Sequence, residues 1–443
     1  MSPILRRKLL QLSGTGMAAA TTGGLAGVLV SGQAPAYAQG TTVHWLKWND
    51  FVPAADEHLR KKTIPEAEKA LGMKITLETI GLNDLPARST AAIQSRSGPD
   101  IIMAVNNYPH IYAGGVADVS ELCEVIGPSQ GGYYDIARGN CNDGKRWISV
   151  PYAIIGGLIA YRKSWLLEAG ATTFPTTWDE YRAVGKKLKA AGHPIGQSLG
   201  HTLGDAPSFA YPFMWSFGGK EVEADGKTVA INSKETIESI KFMTGFWRDA
   251  HDEGGLAWDD ASNNRAFLSG TIAATQNGAS IYIEAVRKPG QYMTEDGKPM
   301  KTDILHAPLP RGQAGQYAFH ANQSMMVMGY SPNQKAAMEF LRWFHTPANY
   351  DGWFSVQKGF ACGPTRVWES SKMWDEDPVM TPFRAAAAAG RVPGFAGQSN
   401  QKAAEVLNKY IVVDMYAKAV QGMPAEQAAA WAEGELKKVY AAG

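Results

Sequence analysis

The sequence predicts an α/β protein whose sheets are mostly parallel, and three observations predict it. Between residues 42 and 105, β-like runs alternate with amphipathic helical stretches, the pattern that lays helices on the faces of a parallel sheet. Of the 443 residues, 45% are hydrophobic and 19% charged, which is enough apolar material for two or three ordinary cores. Further along, several helices carry explicit start and stop signals.

Residues 1–38 stand apart from this pattern. Arg6, Arg7 and Lys8 form a cationic head, "MAAATTGGLAGVLV" is a mildly apolar middle, and Ala36 and Ala38 in "AYA" offer a small-residue cleavage site before Gln39. This reads as an export signal cleaved after Ala38, with the mature protein in the periplasm. The middle is too short and too rich in Gly and Thr for a membrane-spanning helix, which needs about 20 apolar residues. The head "LRRKLLQL" resembles a twin-arginine signal, although Leu5 and Leu9 replace the preferred Ser/Thr and Phe. Removing its three cations, with no acidic residue in residues 1–38, takes the formal charge from +1 to −2. A nearly neutral mature chain has no bulk electrostatic reason to bind nucleic acid or anionic lipid.

The elements follow in order. "TVHWLKW" is a strand, "AADEHLRKKTIPEAEKALG" a helix, "KITLETI" a strand, "LPARSTAAIQSRSG" a helix and "DIIMAV" a strand. Ligands on such sheets sit at the carboxyl ends of strands, which points to the loops "WNDFVP" and "NNYPH". After "VPYAIIGGLIAY" a second α/β block begins. In "TTWDEYRAVGKKLKAAG", Thr177 caps a helix, Glu180 completes a capping box and Gly192 ends it. "NSKETIESIKFMTGFWRDA" puts Ile237, Ile240, Thr244 and Trp247 on one face. "SPNQKAAMEFLRWFHTP" has Ser331 as cap and Pro332 in the first turn, with Phe340, Leu341 and Phe344 inward. "RAAAAAG", 384–390, is a good helix former.

"GTIAATQNGASIY" holds Asn277-Gly278, the strongest local hairpin signal. Its flanks argue otherwise: "NNRAFLSGT" reads as a short helix ending at Gly270 and "ASIYIEAVR" as another. That leaves "TIAAT" as one strand opening onto a loop, where Gly278 allows close approach of the backbone and Asn277 offers an amide to hydroxyls.

Most enzymatic chemistry lacks support. "GQSLG" satisfies G-x-S-x-G, but the elbow needs a helix at once and "HTLGDAPS" intervenes, so Ser198 reads as an exposed strand-end hydroxyl, with a secreted serine hydrolase as the rival from another class. The histidines show no zinc spacing, and there is no phosphate loop or dinucleotide fingerprint; no metal and no cofactor are expected. By its position near Pro207, Asp205 reads as a helix cap. Cys123 and Cys141 either close a short loop, worth about 3 kcal/mol, or remain buried free thiols; Cys362 is a small core residue. The remaining signal is aromatic: 13 Trp, 17 Tyr and 15 Phe, with Trp48-Asn49-Asp50 and Asn106-Asn107-Tyr108 set at strand ends. Aromatic faces stack on sugar C–H faces while amides and carboxylates take hydroxyls, so these clusters point to a polyhydroxy ligand.

"SGPDIIMAVNN", "VPYAIIGGLIAYRKSWLLEAG", "FPTTWDEYRAVGKKL", "FLSGTIAATQNGAS", "APLPRG" and "SPNQKAAMEFLRWF", in this order behind an export signal, resemble the extracellular solute-binding proteins of ABC importers, family 1, the type that includes maltose-binding protein. The resemblance implies a two-lobe type II periplasmic binding fold with the solute between lobes that close by a hinge. Lobe 1 would hold 39–152 plus 318–358 and lobe 2 158–308 plus 363–443, with crossings near 153–157, 308–318 and 358–363. It implies ligand contacts at Trp48, Asn49, Asn107, Asp205, Ser208, Trp215, Asn277, Gly278, Asn322, Gly363, Pro364 and Arg366. Ala104 and Ser280 stand where maltose-binding protein has tryptophans, and Ile155 where it has a glutamate, so maltose itself is not expected. The implied function is a non-enzymatic, monomeric carrier of a monosaccharide, disaccharide or polyol that delivers it to membrane permease subunits. The nearer alternative is a phosphorylated polyol, paired with Arg366, or an amine.

Overall fold

The computed structural model describes residues 40–442; the export-signal reading, which falls on residues 1–38, lies outside them. The first sheet contains β1 (Thr42–Trp48), β2 (Lys74–Ile80), β3 (Ile101–Val105) and β4 (Val150–Ile155). A second sheet is built from β5 (Leu158–Arg162), β6 (Ala274–Asn277) and β7 (Ile304–Ala307). The chain then returns to the first sheet as β8 (Ala321–Val327) and β9 (Ala361–Cys362). The orders are β2-β1-β3-β8-β4-β9 and β6-β5-β7.

β1 pairs in parallel with β2, from Thr42 opposite Lys74 to Trp48 opposite Ile80, and with β3. The expectation of mostly parallel sheets fails beyond that point. β8 is antiparallel to both β3 and β4, β9 is antiparallel to β4, and β5 is antiparallel to both its neighbours. The physical reason is the passage of the chain between sheets. β1 to β4 end at one edge, with Trp48, Val105 and Ile155 lining the same cavity there. A strand that begins at that edge, as β5 and β8 do after a crossing, must run the other way. Leu158 accordingly pairs with Asn277, so β6 delivers its carboxyl end to the same edge.

The helices follow their sequence signals with instructive exceptions. In Trp178–Ala190 the Thr177 hydroxyl accepts from Glu180 N at 3.2 Å and the Glu180 carboxylate accepts from Thr177 N at 3.1 Å, and Gly192 takes a left-handed φ of 90° to end it. Lys234–Ala250 buries Ile240, Met243, Phe246 and Trp247, whereas Ile237 and Thr244 are only half-buried. The helix after Ser331 starts later than expected, at Gln334. Ser331 accepts from Asn333 N at 2.9 Å and donates to Asp100 at 2.5 Å, so it ties that segment to β3 instead of capping, and Pro332 precedes the helix. Phe340, Leu341 and Phe344 do point inward. Residues 384–390 form a 3-10 turn over Ala386–Ala389 in place of an α-helix.

Ile411–Val420 and Ala425–Ala441 pack on Lys234–Ala250, beside the second sheet's helices. Cys123, Cys141 and Cys362 are all free and buried, so the disulfide alternative is not the one adopted. Cys123 donates toward Ser149 O at 3.8 Å and Cys141 accepts from Asn322 at 3.5 Å. Among the described residues no helix is long and apolar enough to cross a membrane, and no group of three or more His, Cys, Asp or Glu could hold a metal ion.

Candidate functional site

Where the two sheets face each other, a cavity of about 50 Å3 opens between an aromatic wall and a polar one. Trp48, the last residue of β1, anchors the aromatic wall. Its ring meets Phe51 edge-on at 5.7 Å, and Phe51 meets Phe360 at 6.1 Å. A buried ionic knot holds the loop behind it: Lys47 donates to the Trp48 carbonyl at 2.9 Å, pairs with Asp56 and lies 3.8 Å from Asp50. Asp50 accepts from Val52 N at 2.9 Å and from Gln357 at 3.0 Å. Burial pushes its carboxyl above the ordinary range, with Lys47 opposing that shift. Asp50, which the sequence grouped with Trp48 as a binder, therefore supports the Trp48 loop.

The polar wall starts at the helix Asp205–Phe217. Asp260, from a separate segment, accepts from Gly204 N at 3.2 Å and Asp205 N at 2.8 Å, satisfying the bare amides of this helix start. Asp205 is thus the first helical residue, not the cap. Its carboxylate accepts from Asn263 at 2.7 Å. Burial, reinforced by the neighbouring Asp260 charge, raises the Asp205 carboxyl well above its ordinary value; Asp260 is raised by burial too, against its backbone donors. Ser208 lines the same wall and donates back to Gly204 O at 2.6 Å.

β6 ends here with Gln276 and Asn277, and no hairpin forms: the chain passes directly into the helix Ser280–Arg287. Asn277 lines the cavity, but both ends of its amide are engaged. It donates to Asn264 at 2.6 Å and accepts from Ser280 at 2.9 Å. Gly278 lies so near the first sheet that a Cβ would stand 3.0 Å from Ile155 and 3.1 Å from Phe360. Its smallness serves the approach of the two sheets. Two buried polar atoms on this cavity's lining residues have no partner: Trp48 Nε1 and Gln276 Oε1.

Trp48, Asp205, Ser208, Asn277 and Gly278 are therefore brought together, and the other seven expected contacts lie off the cavity's walls. Asn49 is exposed and spends its N–H on Ile80 O at 2.7 Å. Asn107 is fully buried and donates to Ser399 at 3.1 Å. Trp215 is core, donating to Glu221 at 2.8 Å, and Asn322 is buried beside Cys141. Gly363 packs against the Trp368 ring, and Pro364 O accepts from Tyr134 N at 3.3 Å. Arg366 sits half-exposed over the Tyr134 ring, 5.0 Å from its centre, and brings no cation to the cavity. Ser198 is fully buried, not an exposed strand-end hydroxyl, and its Oγ donates to Trp258 O at 3.1 Å.

Sequence reasoning missed Phe51, Phe360, Gln276 and Asp260. Phe51 and Gln276 adjoin residues already chosen at strand ends; Asp260 and Phe360 arrive from distant segments and carried no local signal.

Two sheets joined by crossings, with a cleft at their carboxyl edges, define a two-lobe solute-binding protein. The chain belongs to the bacterial extracellular solute-binding protein family, whose model matches residues 52–351. That family consists of exported, non-enzymatic proteins that bind small molecules and work with ABC permeases. The chain is similar to an ABC transporter-binding protein of Deinococcus radiodurans, with 22% identity over 207 residues, 45% of this chain and 47% of that protein. It is also similar to a binding protein of Brucella abortus, with 25% identity over 226 residues, 49% of this chain and 51% of that one; these matches thus span about half the length of each relative. Among solved structures it resembles the maltose-bound MalE3 of T. maritima, with a TM-score of 0.73, 18% identity and coverage of 90% of this chain and 100% of that one. A Thermotoga lettingae solute-binding protein bound with alpha-D-tagatose gives a TM-score of 0.75 and 17% identity, covering 90% and 100%. One from Agrobacterium radiobacter K84 in complex with ribitol gives 0.69 and 19%, covering 90% and 99%.

Proposed function

We propose that this chain is the carbohydrate-binding component of an ABC importer: exported by the signal in residues 1–38, cleaved after Ala38, and active as a periplasmic monomer that passes its solute to membrane permease subunits. The observation that carries this reading is the opposition, across one cavity, of the Trp48–Phe51–Phe360 wall and the polar wall of Asp205, Ser208 and Gln276. A sugar or polyol has that duality, with C–H faces for the rings and hydroxyls for the acceptors. Maltose, tagatose and ribitol in the structural relatives point the same way. In this reading residues 39–152 and 318–358 form one lobe and 158–308 and 363–443 the other.

The small cavity, about 50 Å3, favours a monosaccharide or short polyol over a disaccharide. A phosphorylated solute finds no counter-ion, since no Lys, Arg or His is among the lining residues. Melting with a panel of sugars and polyols tests the proposal. A solute at 100 times its Kd adds about 2.7 kcal/mol to stability, and a panel in which no sugar or polyol raises Tm would sink it. Ser198→Ala should leave that ligand-induced shift intact.

A further inference from the structure

We propose that the solute carries an amino group beside its hydroxyls, as an aminosugar or amino-polyol does, and that Asp205 receives that group. The inference rests on the carbohydrate reading and narrows it.

The lining is unbalanced in charge. Asp205 and Asp260 are its ionisable members, and no Lys, Arg or His accompanies them. The nearest buried cation on the aromatic side, Lys47, is already matched by Asp50 and Asp56 behind Trp48. The two acids are not equivalent. Asp260 is held by the amides of Gly204 and Asp205, which compensate a negative charge. Asp205 has the single side-chain donor Asn263.

Independently, the lining carries two buried polar atoms without partners, one of them an acceptor on the polar wall. Gln276, 2% exposed, presents Oε1 without a partner, and Trp48, 3% exposed, presents Nε1 without one. Gln276 Oε1 is thus an unmet acceptor on the polar wall, and Trp48 Nε1 an unmet donor on the aromatic one. An ammonium group supplies three donors and no acceptor, and a charge-assisted bond to a carboxylate is roughly twice as strong as a neutral one. The rings of Trp48, Phe51 and Phe360 facing that wall are equally suited to a cation. A neutral sugar meets the same acceptors, but gains nothing from a lining that holds two acids and no cation.

Protonation offers a second signature. Burial and the neighbouring Asp260 charge raise the Asp205 carboxyl well above its ordinary value in the empty protein. An ammonium ligand opposes that shift, so its binding is coupled to proton release in a way that a neutral sugar's is not.

The test compares matched pairs by titration calorimetry: D-glucosamine with D-glucose, D-galactosamine with D-galactose, and 1-amino-1-deoxy-D-glucitol with D-glucitol. N-acetyl-D-glucosamine serves as the uncharged control. The expected result is that the amino member of at least one pair binds about tenfold more tightly, with proton release measured across buffers of different ionisation enthalpy. Asp205→Asn should shrink that preference below about threefold. If the neutral member binds as well or better in every pair, the amino assignment falls while the carbohydrate reading stands. If the preference survives Asp205→Asn in a folded variant, Asp205 is not the receiver and the proposal falls. If no compound in the panel binds, both fall. The wild-type comparison decides the ligand class even where the variant fails to fold.

Discussion

Asn277 shows how a side chain can line a site without being free to serve it. Its amide closes a small ring with Asn264 and Ser280 at the end of β6. Asn277→Ala leaves the half-buried Asn264 side-chain amide oxygen and the buried Ser280 hydroxyl short of a partner, which costs about 1–3 kcal/mol. A lower Tm should therefore accompany any loss of affinity; a variant that loses affinity at unchanged Tm would mean the amide turns toward the solute. Glu221 makes a different test. Burial pushes its carboxyl from 4.5 up to about 7, against hydrogen bonds from Trp215 and Gly394. Between those values the folded protein holds a proton that the unfolded chain has lost. Stability is full below about pH 4.5 and declines as pH rises to about 7, by roughly 3 kcal/mol in all. Urea midpoints at pH 5 and pH 8 should show wild type losing ground against Glu221→Gln, and a pH-independent difference would refute it.

Thr177 and β6 mark the reach and the limit of local sequence. The capping box forms because hydroxyl, glutamate and spacing are all local, and Thr177→Ala should cost about 1 kcal/mol in denaturant unfolding, with ligand affinity unchanged. β1 and β2 were legible to the residue for a similar reason: their apolar and β-branched runs are bounded by turn residues. The apolar pattern places β6 three residues early, over 271–275. The strand that forms, Ala274–Asn277, contains polar side chains that look like a loop until their distant partners are known. Thr275 meets Asn263, Gln276 N meets Gln197, and Asn277 meets Asn264. The sheet directions were misread for a topological reason, since nothing local to "LIAY" says that it begins just after a crossing. The site divides likewise. Trp48 and Asn277 were found because strand ends are readable, while Asp260 and Phe360 enter through tertiary contacts alone.

The two sheets approach closely at Gly278, where Ile155 and Phe360 of the first sheet's edge face the end of β6. This makes one hydrogen atom a spacer between lobes. A methyl group there would stand 3.0 Å from Ile155 Cγ2 and 3.1 Å from Phe360 Cε2, tighter than relaxed packing allows. The strain can be relieved without unfolding either lobe, because the contact lies between them and the chain crosses between lobes just beyond Ile155. Gly278→Ala should therefore shift the closed arrangement toward an open one and weaken the solute by the free energy of reclosing, about tenfold for each 1.4 kcal/mol. Tm without solute should move little. Small-angle scattering at saturating solute should give a larger radius of gyration than wild type. If instead Tm falls by several degrees while affinity per folded molecule is unchanged, Gly278 belongs to the packing of one lobe, and the cleft closes elsewhere.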